Sequence, residues 1–164
     1  MTISVGEPLP KTTLLMMKGG EPQQVESDAY FGTGRTVVFG MPGAYTATCS
    51  AVHLPNVIAF ADRMRDSGAD RVAVLTTNDP FVLGHWQEET GADAAGVDML
   101  SDPEGLFVGN MGLSFSFAPR GLINRAVRFA MVVEDGKVAA LNIEESRATC
   151  DMSGGEAVMD ILGA

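Results

Sequence analysis

The sequence predicts an α/β domain in which helices flank a central mixed β-sheet. Short valine-rich runs alternate with stretches whose apolar residues recur every three or four positions, which is typical of consecutive βα units. Nearer the carboxyl end an Asp-Gly pair stands between two further apolar runs, which predicts an antiparallel hairpin. The chain has 164 residues, of which 46% are hydrophobic, so we expect one core and a single domain over residues 1–164.

The first predicted βα unit begins with residues 36–41, TVVFGM, a short β-rich run that Pro42-Gly43 ends in a turn. From residue 50 to residue 65, apolar side chains recur at helical spacing, which predicts an amphipathic helix. Pro55 lies inside this helix and has no N–H group. We therefore expect it to remove a backbone hydrogen bond or to bend the first turns.

The second predicted βα unit follows directly. RVAVLTT, residues 71–77, predicts a buried strand. Asp79 is a good N-cap and Pro80 fits the first position of a helix that continues to about Thr90. The remaining predicted elements are a short apolar segment at 97–101, a short helix within 103–111, hairpin strands at 128–133 and 138–143, and a terminal helix at 153–162.

The charge of the chain excludes one class of partner. The formal net charge is −10, the pI is near 4.5 and the cations are scattered singly, so no basic surface is expected and nucleic acid is not a partner. The amino-terminal residues lack the pattern of a signal peptide, and no run approaches the roughly 18 apolar residues that span a membrane. We expect a cytoplasmic protein that does not bind membranes.

The segment PGAYTATCSAVH, residues 42–53, places one of the two cysteines at the start of a predicted helix. Unpaired N–H groups and the positive end of the helix dipole stabilise an anion there, and the thiolate is the reactive form of Cys49. Thr46, three residues earlier, can direct its hydroxyl toward the sulfur or toward the molecule that the sulfur attacks. Pro42 can exclude water from the surroundings of the sulfur. This pattern is compatible with a nucleophilic cysteine.

Attack on a peroxide O–O bond also needs hydrogen-bond donors for the oxygen that leaves with negative charge. The arginines that can supply a guanidinium are Arg120, Arg125 and Arg128, all within PRGLINRAVRF. Arg128 opens a predicted core strand. We therefore expect Arg128, rather than the other two, to be held rigidly near a strand end.

Three other interpretations of these residues stay open at this point. Cysteine is often a small buried hydrophobic residue with no chemical role. Cys49 and His53 lie four positions apart on one helical face and could bind a metal, although such sites usually need three or four ligands and the chain has only two histidines. A Cys-His hydrolase would need an orienting partner that no local signal supplies. We expect His53 to hydrogen-bond locally and brace the helix, and Trp86 to be a packing residue.

The stretch MPGAYTATCSAVHLP resembles the active-site segment of the peroxiredoxin 5 family, the type II or atypical two-cysteine peroxiredoxins. The family motif is matched by Pro42, Thr46 and Cys49, while Ala47 stands where proline is common and Tyr45 where phenylalanine is common. The likeness extends to VGEPLPKTTLL, which is similar to the amino-terminal strand region of the family, to VLTTNDPFVLGHW and to PRGLINRAVRFAMVVEDGKVAALNIE. It covers nearly the whole chain.

The resemblance implies a thioredoxin-like fold and a thiol-dependent peroxidase that reduces hydrogen peroxide and alkyl hydroperoxides without a metal, haem or nicotinamide cofactor. Cys49 is then the peroxidatic cysteine, which attacks the hydroperoxide and becomes a sulfenic acid. Thr46 would hydrogen-bond the thiolate and the peroxide. Arg128 would hold the thiolate and stabilise the transition state, and Pro42 would shield the pocket.

The resemblance leaves the recycling of the enzyme open. Cys150 falls where some members carry a resolving cysteine that forms an intramolecular disulfide, whereas other members are recycled directly by glutathione or glutaredoxin. The external reductant is therefore glutathione/glutaredoxin or thioredoxin. The resemblance also implies a homodimer. The alternatives are a non-catalytic redox sensor or thioredoxin-fold binding protein and, less favoured, a metal-binding protein of the same fold.

Overall fold

The computed structural model describes residues 1–146, 148–149 and 151–163; Cys150 lies outside the described residues. The strands are β1 (Thr13–Lys18), β2 (Glu21–Glu26), β3 (Arg35–Gly40), β4 (Arg71–Thr76), β5 (Val97–Ser101), β6 (Ser114–Phe117), β7 (Leu122–Ala126), β8 (Phe129–Glu134) and β9 (Lys137–Ile143). The helices are α1 (Ser27–Phe31), α2 (Leu54–Asp66), α3 (Pro80–Thr90), α4 (Leu106–Asn110) and α5 (Gly155–Leu162). A π-helical turn, Cys49–His53, leads directly into α2, and a 3-10 turn spans Ala118–Arg120.

The central sheet has the strand order β2-β1-β5-β4-β3-β8-β9 within the described residues. β3, β4 and β5 run parallel, and antiparallel strands extend the sheet on both sides. The predicted mixed sheet with flanking helices is confirmed. β3 and β4 lie in the middle of the sheet and are buried on both faces, which explains their nearly continuous apolar sequences.

The Asp-Gly pair forms the predicted hairpin turn between β8 and β9. Asp135 has a φ of 48° and Gly136 a φ of 81°, and a two-residue type I′ turn requires positive φ at both positions. Glu134 pairs directly with Lys137 across the turn. β8 begins one residue later than predicted, so Arg128 lies immediately before the strand.

The residue patterns do not predict two hairpins that the structure contains. β1 and β2 are joined by Gly19 and Gly20, which have φ values of 60° and 80°. β2, with the sequence EPQQVE, is an edge strand whose polar side chains are mostly exposed. β6 and β7 form a separate, mostly exposed pair. β2, β6 and β7 bury few apolar side chains, so hydrophobic periodicity does not reveal these hairpins.

A hydrophobic core lies on each face of the central sheet. Val37 and Phe39 belong to one cluster and Val38 to the other, because successive strand residues point to opposite faces. α2, α3 and α5 contribute to the first cluster, and α1 and α4 to the second. Trp86 is buried in the first cluster, which confirms its predicted packing role.

The helix predicted from residue 50 to residue 65 begins with a π-helical turn rather than an α-helical one. The Leu54 N–H donates to the Cys49 carbonyl five residues earlier, and α2 starts at Leu54 with Pro55 in its first turn. In an α-helix, Pro55 could not donate to the carbonyl four residues before it, and its ring would crowd that carbonyl. The wider turn accommodates the proline, and π-helical turns are frequent at functional sites.

The terminal helix α5 lies close to α2 because Gly155 has no side chain. A Cβ at position 155 would lie 2.5 Å from Phe60 Cγ. The Gly155 N–H donates to Asn56 Oδ1 at 2.6 Å. These contacts bring the segment before α5 next to the start of α2. Across the described residues, no helix is both long and apolar enough to cross a membrane.

Candidate active site

The loop between β3 and the π-helical turn holds Cys49 at the carboxyl end of the parallel strands. The Ala44 N–H donates to Asn78 Oδ1 at 2.8 Å, which ties the loop to the segment after β4. Tyr45 has a φ of 62°, an uncommon value for a residue other than glycine. Its hydroxyl lies 2.8 Å from Glu89 Oε2 and 2.6 Å from His85 Nδ1, both on α3. The tyrosine that replaces the family's common phenylalanine therefore attaches the loop to α3.

Arg128 lies beside the thiol of Cys49. Its Nη2 donates to Cys49 Sγ at 3.3 Å, and both residues are buried, with Cys49 0% and Arg128 3% exposed. Gly40 at the end of β3 pairs with Phe129 at the start of β8. The antiparallel register thus places Arg128 next to the loop that leaves β3. This contact supplies a charged hydrogen-bond donor at the sulfur.

His53 fixes the orientation of Arg128. A guanidinium can only donate, so His53 Nδ1 accepts from Arg128 Nη1 at 2.7 Å, and His53 Nε2 donates its proton to the Ser153 carbonyl at 2.9 Å. Burial and, next, the positive charge of Arg128 lower the pKa of His53 to about 4. The imidazole is neutral at pH 7 and accepts from the arginine. The expectation of a local hydrogen bond is wrong, because the partners of His53 are Arg128, immediately before β8, and Ser153, before α5.

Glu144 ties the carboxyl-terminal segment to this pair. Its N–H donates to the Arg128 carbonyl at 2.9 Å. Its Oε1 accepts from the N–H and the hydroxyl of Ser153 and from the Met152 N–H, at 2.6 to 2.9 Å. Partial burial raises the pKa of Glu144, but the hydrogen bonds from Ser153, Thr149 and Met152 outweigh that effect and hold the pKa below its usual value. The charged carboxylate of Glu144 therefore holds the Ser153 backbone, whose carbonyl accepts the hydrogen bond from His53.

We expect the free energy of unfolding to fall as the pH drops from about 6.5 toward about 4 because of His53. The unfolded chain binds a proton near pH 6.5, whereas the folded chain binds it only near pH 4. Within this window the unfolded state holds the extra proton and is favoured. The full loss for one such group is about 3 kcal/mol. Urea unfolding at several pH values within the window measures it.

Two variants isolate the contribution of His53. His53→Gln removes the titrating group. The free energy of unfolding of this variant should therefore change less steeply with pH, by the slope that one bound proton contributes. The variant should also be less stable than the wild type at neutral pH. His85→Gln makes the same substitution at the exposed histidine of α3, outside the contact with Arg128, and serves as the matched control. The pKa of Glu144 lies below its ordinary value of 4.5, so its contribution to stability is lost as the pH falls through that value, and the slopes are compared between about pH 5 and 6.5. An unchanged slope in His53→Gln would contradict the assignment.

Thr46 and Pro42 lie in the loop around the thiol. The Thr46 hydroxyl donates to the Gly43 carbonyl at 2.7 Å. In this arrangement its oxygen can still accept from a protonated peroxide, and its predicted hydrogen bond to the thiolate stays a prediction. Pro42 is buried, and its carbonyl accepts from Arg125 Nη1 at 3.1 Å. Arg125 thus supports the loop and is not the arginine at the sulfur.

A cavity of about 610 Å³ opens beside these residues. The described residues that line it are Pro42, Thr46, Ala47, Thr48, Phe117, Arg120, Leu122, Arg128, Ser146 and Ala148. Apolar side chains form most of its wall, and the two arginines supply the charge. The predicted site residues Pro42, Thr46 and Arg128 therefore share one pocket next to Cys49, and Arg120 lies at the same pocket.

The described residues offer little support for the rival sites. No group of three or more His, Cys, Asp or Glu side chains among them is placed to hold a metal ion. Both ring nitrogens of His53 are engaged, by Arg128 and by the Ser153 carbonyl, so His53 is not placed as the base of a Cys-His hydrolase. Sequence reasoning missed the contact between His53 and Arg128 and the role of Glu144. The four-residue spacing of Cys49 and His53 was the only available signal.

Comparison with known proteins identifies the family. A family model described as Redoxin matches residues 4–159. Peroxiredoxin-2C from Oryza sativa subsp. japonica is 33% identical over 161 residues, which cover 98% of each chain. The chain belongs to the peroxiredoxin family. Peroxiredoxin-2E, a chloroplastic protein of Arabidopsis thaliana, is 35% identical over 156 residues that cover 93% of this chain. The chain spans 66% of that relative's length and 65% of the mitochondrial peroxiredoxin-2F of the same plant.

Solved structures agree with this assignment. Reduced Prx3 from Vibrio vulnificus in complex with hydrogen peroxide has a TM-score of 0.91 and 32% sequence identity, covering 99% of this chain and 97% of its own. Peroxiredoxin 5 from Alvinella pompejana has a TM-score of 0.84 at 22% identity over 98% of both chains, and supports the fold alone. The predicted peroxiredoxin family and thioredoxin-like α/β fold are confirmed.

Proposed function

We propose that this peroxiredoxin is a thiol-dependent peroxidase that reduces hydrogen peroxide and alkyl hydroperoxides. The observation that carries the proposal is the contact between Arg128 Nη2 and the buried Cys49 Sγ at 3.3 Å, beside a cavity that can admit a substrate. The names of the relatives and the hydrogen peroxide complex of the Vibrio vulnificus protein support the same activity. They favour it over a non-catalytic sensor.

The proposed reaction is a two-electron displacement at oxygen. The Cys49 thiolate forms an S–O bond to the terminal peroxide oxygen, and the O–O bond breaks with its electron pair leaving on the other oxygen. That oxygen takes a proton and departs as water or an alcohol, while the sulfur becomes a sulfenic acid. The negative charge therefore moves from sulfur to the leaving oxygen during the step.

The residues around the cavity have distinct proposed roles in this step. Arg128 stabilises the thiolate before attack and the leaving oxygen during it. The Thr46 oxygen accepts a hydrogen bond from the peroxide, which orients the O–O bond. The Cys49 N–H lies in the first helical turn, where backbone donors lack intrahelical partners, and offers a further hydrogen bond. Pro42 closes one wall of the cavity against water.

An external thiol returns the enzyme to its reduced form, as we propose, and no prosthetic group takes part. A first thiol attacks the sulfenic acid, forms a disulfide and releases water, and a second thiol displaces the Cys49 thiolate. Peroxiredoxins in general use cysteine redox chemistry of this kind. Glutathione with glutaredoxin, or thioredoxin, is the reductant, and Cys150 stays a candidate for the first thiol. The homodimer and the cytoplasmic location also stay predictions.

Steady-state turnover tests the proposed function. Reduced protein at catalytic concentration should consume many equivalents of hydrogen peroxide when a thioredoxin system, or glutathione with glutaredoxin, regenerates it. The non-catalytic sensor would consume one equivalent and stop. Hydroperoxide loss and reductant consumption should proceed in a one-to-one ratio of two-electron equivalents. A single stoichiometric oxidation with both reductant systems would overturn the proposal.

The same assay with Cys150→Ser decides between the two recycling routes. An intramolecular disulfide requires the Cα atoms of the two cysteines to come within about 7 Å of each other and a second sulfur to reach the fully buried Cys49. If Cys150 resolves the sulfenic acid, the oxidised wild type should lose two hydrogens in its intact mass, and Cys150→Ser should not. Unchanged turnover of Cys150→Ser would reject a necessary resolving role and favour direct reduction by the external thiol.

A further inference from the structure

The cavity beside Cys49 carries a positive charge that the reaction with hydrogen peroxide does not use. Arg120 lies in the 3-10 turn between β6 and β7, lines this cavity and is exposed to solvent. Among the described residues its guanidinium has no ion pair and no hydrogen-bond partner. Arg128, the other arginine of the cavity, is committed to Cys49 and His53. Of the two arginines that line the cavity among the described residues, Arg120 is therefore the one available to a ligand.

The charge of the cavity differs from that of the chain as a whole. The chain has 21 acidic and 11 basic residues. The described residues that line the cavity include two arginines and no carboxylate. An anionic group can thus enter without meeting like charge from these walls, and an arginine binds carboxylates with two parallel hydrogen bonds when the geometry allows.

The cavity is also larger and more apolar than hydrogen peroxide requires. Its volume of about 610 Å³ lies within the range of drug-sized ligand sites. Phe117 and Leu122 form an apolar part of the cavity wall close to Arg120 in the sequence. Pro42 and Ala47, in the loop that leads to Cys49, form another apolar part. An organic group can therefore lie on these side chains between the two arginines.

We propose that Arg120 binds the carboxylate of organic hydroperoxides that carry an acid group, while their peroxide end reaches Cys49 and Arg128. This inference rests on the proposed peroxidase activity and names a substrate class for the same site. The reaction is the one described above: the S–O bond forms, the O–O bond breaks, and the product is the corresponding hydroxy acid. Arg120 is a specificity residue and takes no part in bond breaking.

Single-turnover oxidation of prereduced protein tests this without any external reductant. The probes are cumene hydroperoxide and its para-carboxylate, which differ by one charged group, and the measured quantity is the ratio of their second-order rate constants for Cys49 oxidation. Arg120→Gln should lower the ratio of carboxylate to neutral probe about fivefold, the scale of an exposed ion pair. Arg120→Glu should lower it further, and Arg120→Lys should retain part of it.

Arg63→Gln provides the matched control for net charge. Arg63 lies on α2, where its guanidinium stacks on Phe60, and it does not line the cavity. The Arg63→Gln substitution changes the charge of the chain by the same amount as Arg120→Gln. It should keep the wild-type ratio of the two rate constants. Added salt should lower the ratio in the wild type more than in Arg120→Gln.

The outcomes separate this inference from the proposed function. If neither probe oxidises Cys49, the peroxidase proposal fails. If both probes oxidise Cys49 but Arg120→Gln keeps the wild-type ratio, the peroxidase proposal stands and the Arg120 inference is overturned. An unchanged ratio together with slower recycling by glutathione would assign the carboxylate to the thiol reductant instead, which also overturns the substrate assignment.

Discussion

Cys49→Ser should abolish peroxide turnover, with the residual rate no greater than that of a solution without protein. Serine nearly preserves the shape of the side chain, but its hydroxyl is a far weaker nucleophile than a thiolate at neutral pH. Because serine is so similar in shape, the substitution should leave the secondary structure intact even though Cys49 is completely buried. Peroxide consumption with each reductant system, together with circular dichroism and a thermal unfolding curve, measures both effects.

The same substitution at the second cysteine is the matched control for Cys49→Ser. In a single turnover without reductant, Cys150→Ser should still consume one equivalent of hydrogen peroxide, because the first oxidation occurs at Cys49. Cys49→Ser should consume none. Retained catalytic turnover in a correctly folded Cys49→Ser protein would exclude the proposed mechanism.

Arg128→Ala should slow the oxidation of Cys49 by about 10²- to 10³-fold, the scale seen when a single transition-state donor is removed. The guanidinium donates to the sulfur at 3.3 Å, so its loss removes stabilisation from the thiolate and from the leaving oxygen. Stopped-flow measurement with hydrogen peroxide gives the rate constant. Arg128→Lys keeps the charge but not the planar pair of nitrogens that contacts both Cys49 and His53, so it should recover only part of the rate.

A second readout distinguishes a local effect of Arg128→Ala from general disruption. The positive charge of Arg128 is one cause of the low pKa of His53. Removing it should raise that pKa in a folded protein, and the imidazole resonances in an NMR titration report the shift. Arg63→Ala, which also removes one guanidinium, should change neither the rate nor the His53 titration. A near-normal rate in folded Arg128→Ala would move the proposed role to Arg120 or Arg125.

Much of the fold was predictable because its buried elements carry local patterns. The apolar runs of β3 and β4, the Asp79-Pro80 helix start and the Asp-Gly turn each reflect a constraint within a few residues of chain. The Val82 N–H does donate to Asp79 Oδ1, as an N-cap requires. The β1-β2 hairpin was missed although Gly19-Gly20 is a local turn signal, because β2 buries little and lacks an apolar pattern.

The sequence by itself determined the family, the α/β architecture and the segment that holds Cys49, since the PGAYTATC motif and the hydrophobic periodicity are local properties of the chain. The sequence also favoured Arg128 among three arginines, and the tertiary structure supplies the contact and its cause. Arg120, Arg125 and Arg128 lie within nine residues of one another, but the register of β8 against β3 brings Arg128 to Cys49, and leaves Arg125 on the Pro42 carbonyl and Arg120 at the cavity wall. Only the tertiary structure decided the partners of His53. They lie 75 and 100 positions away, and contacts at such separations are set by sheet pairing and helix packing rather than by neighbouring residues.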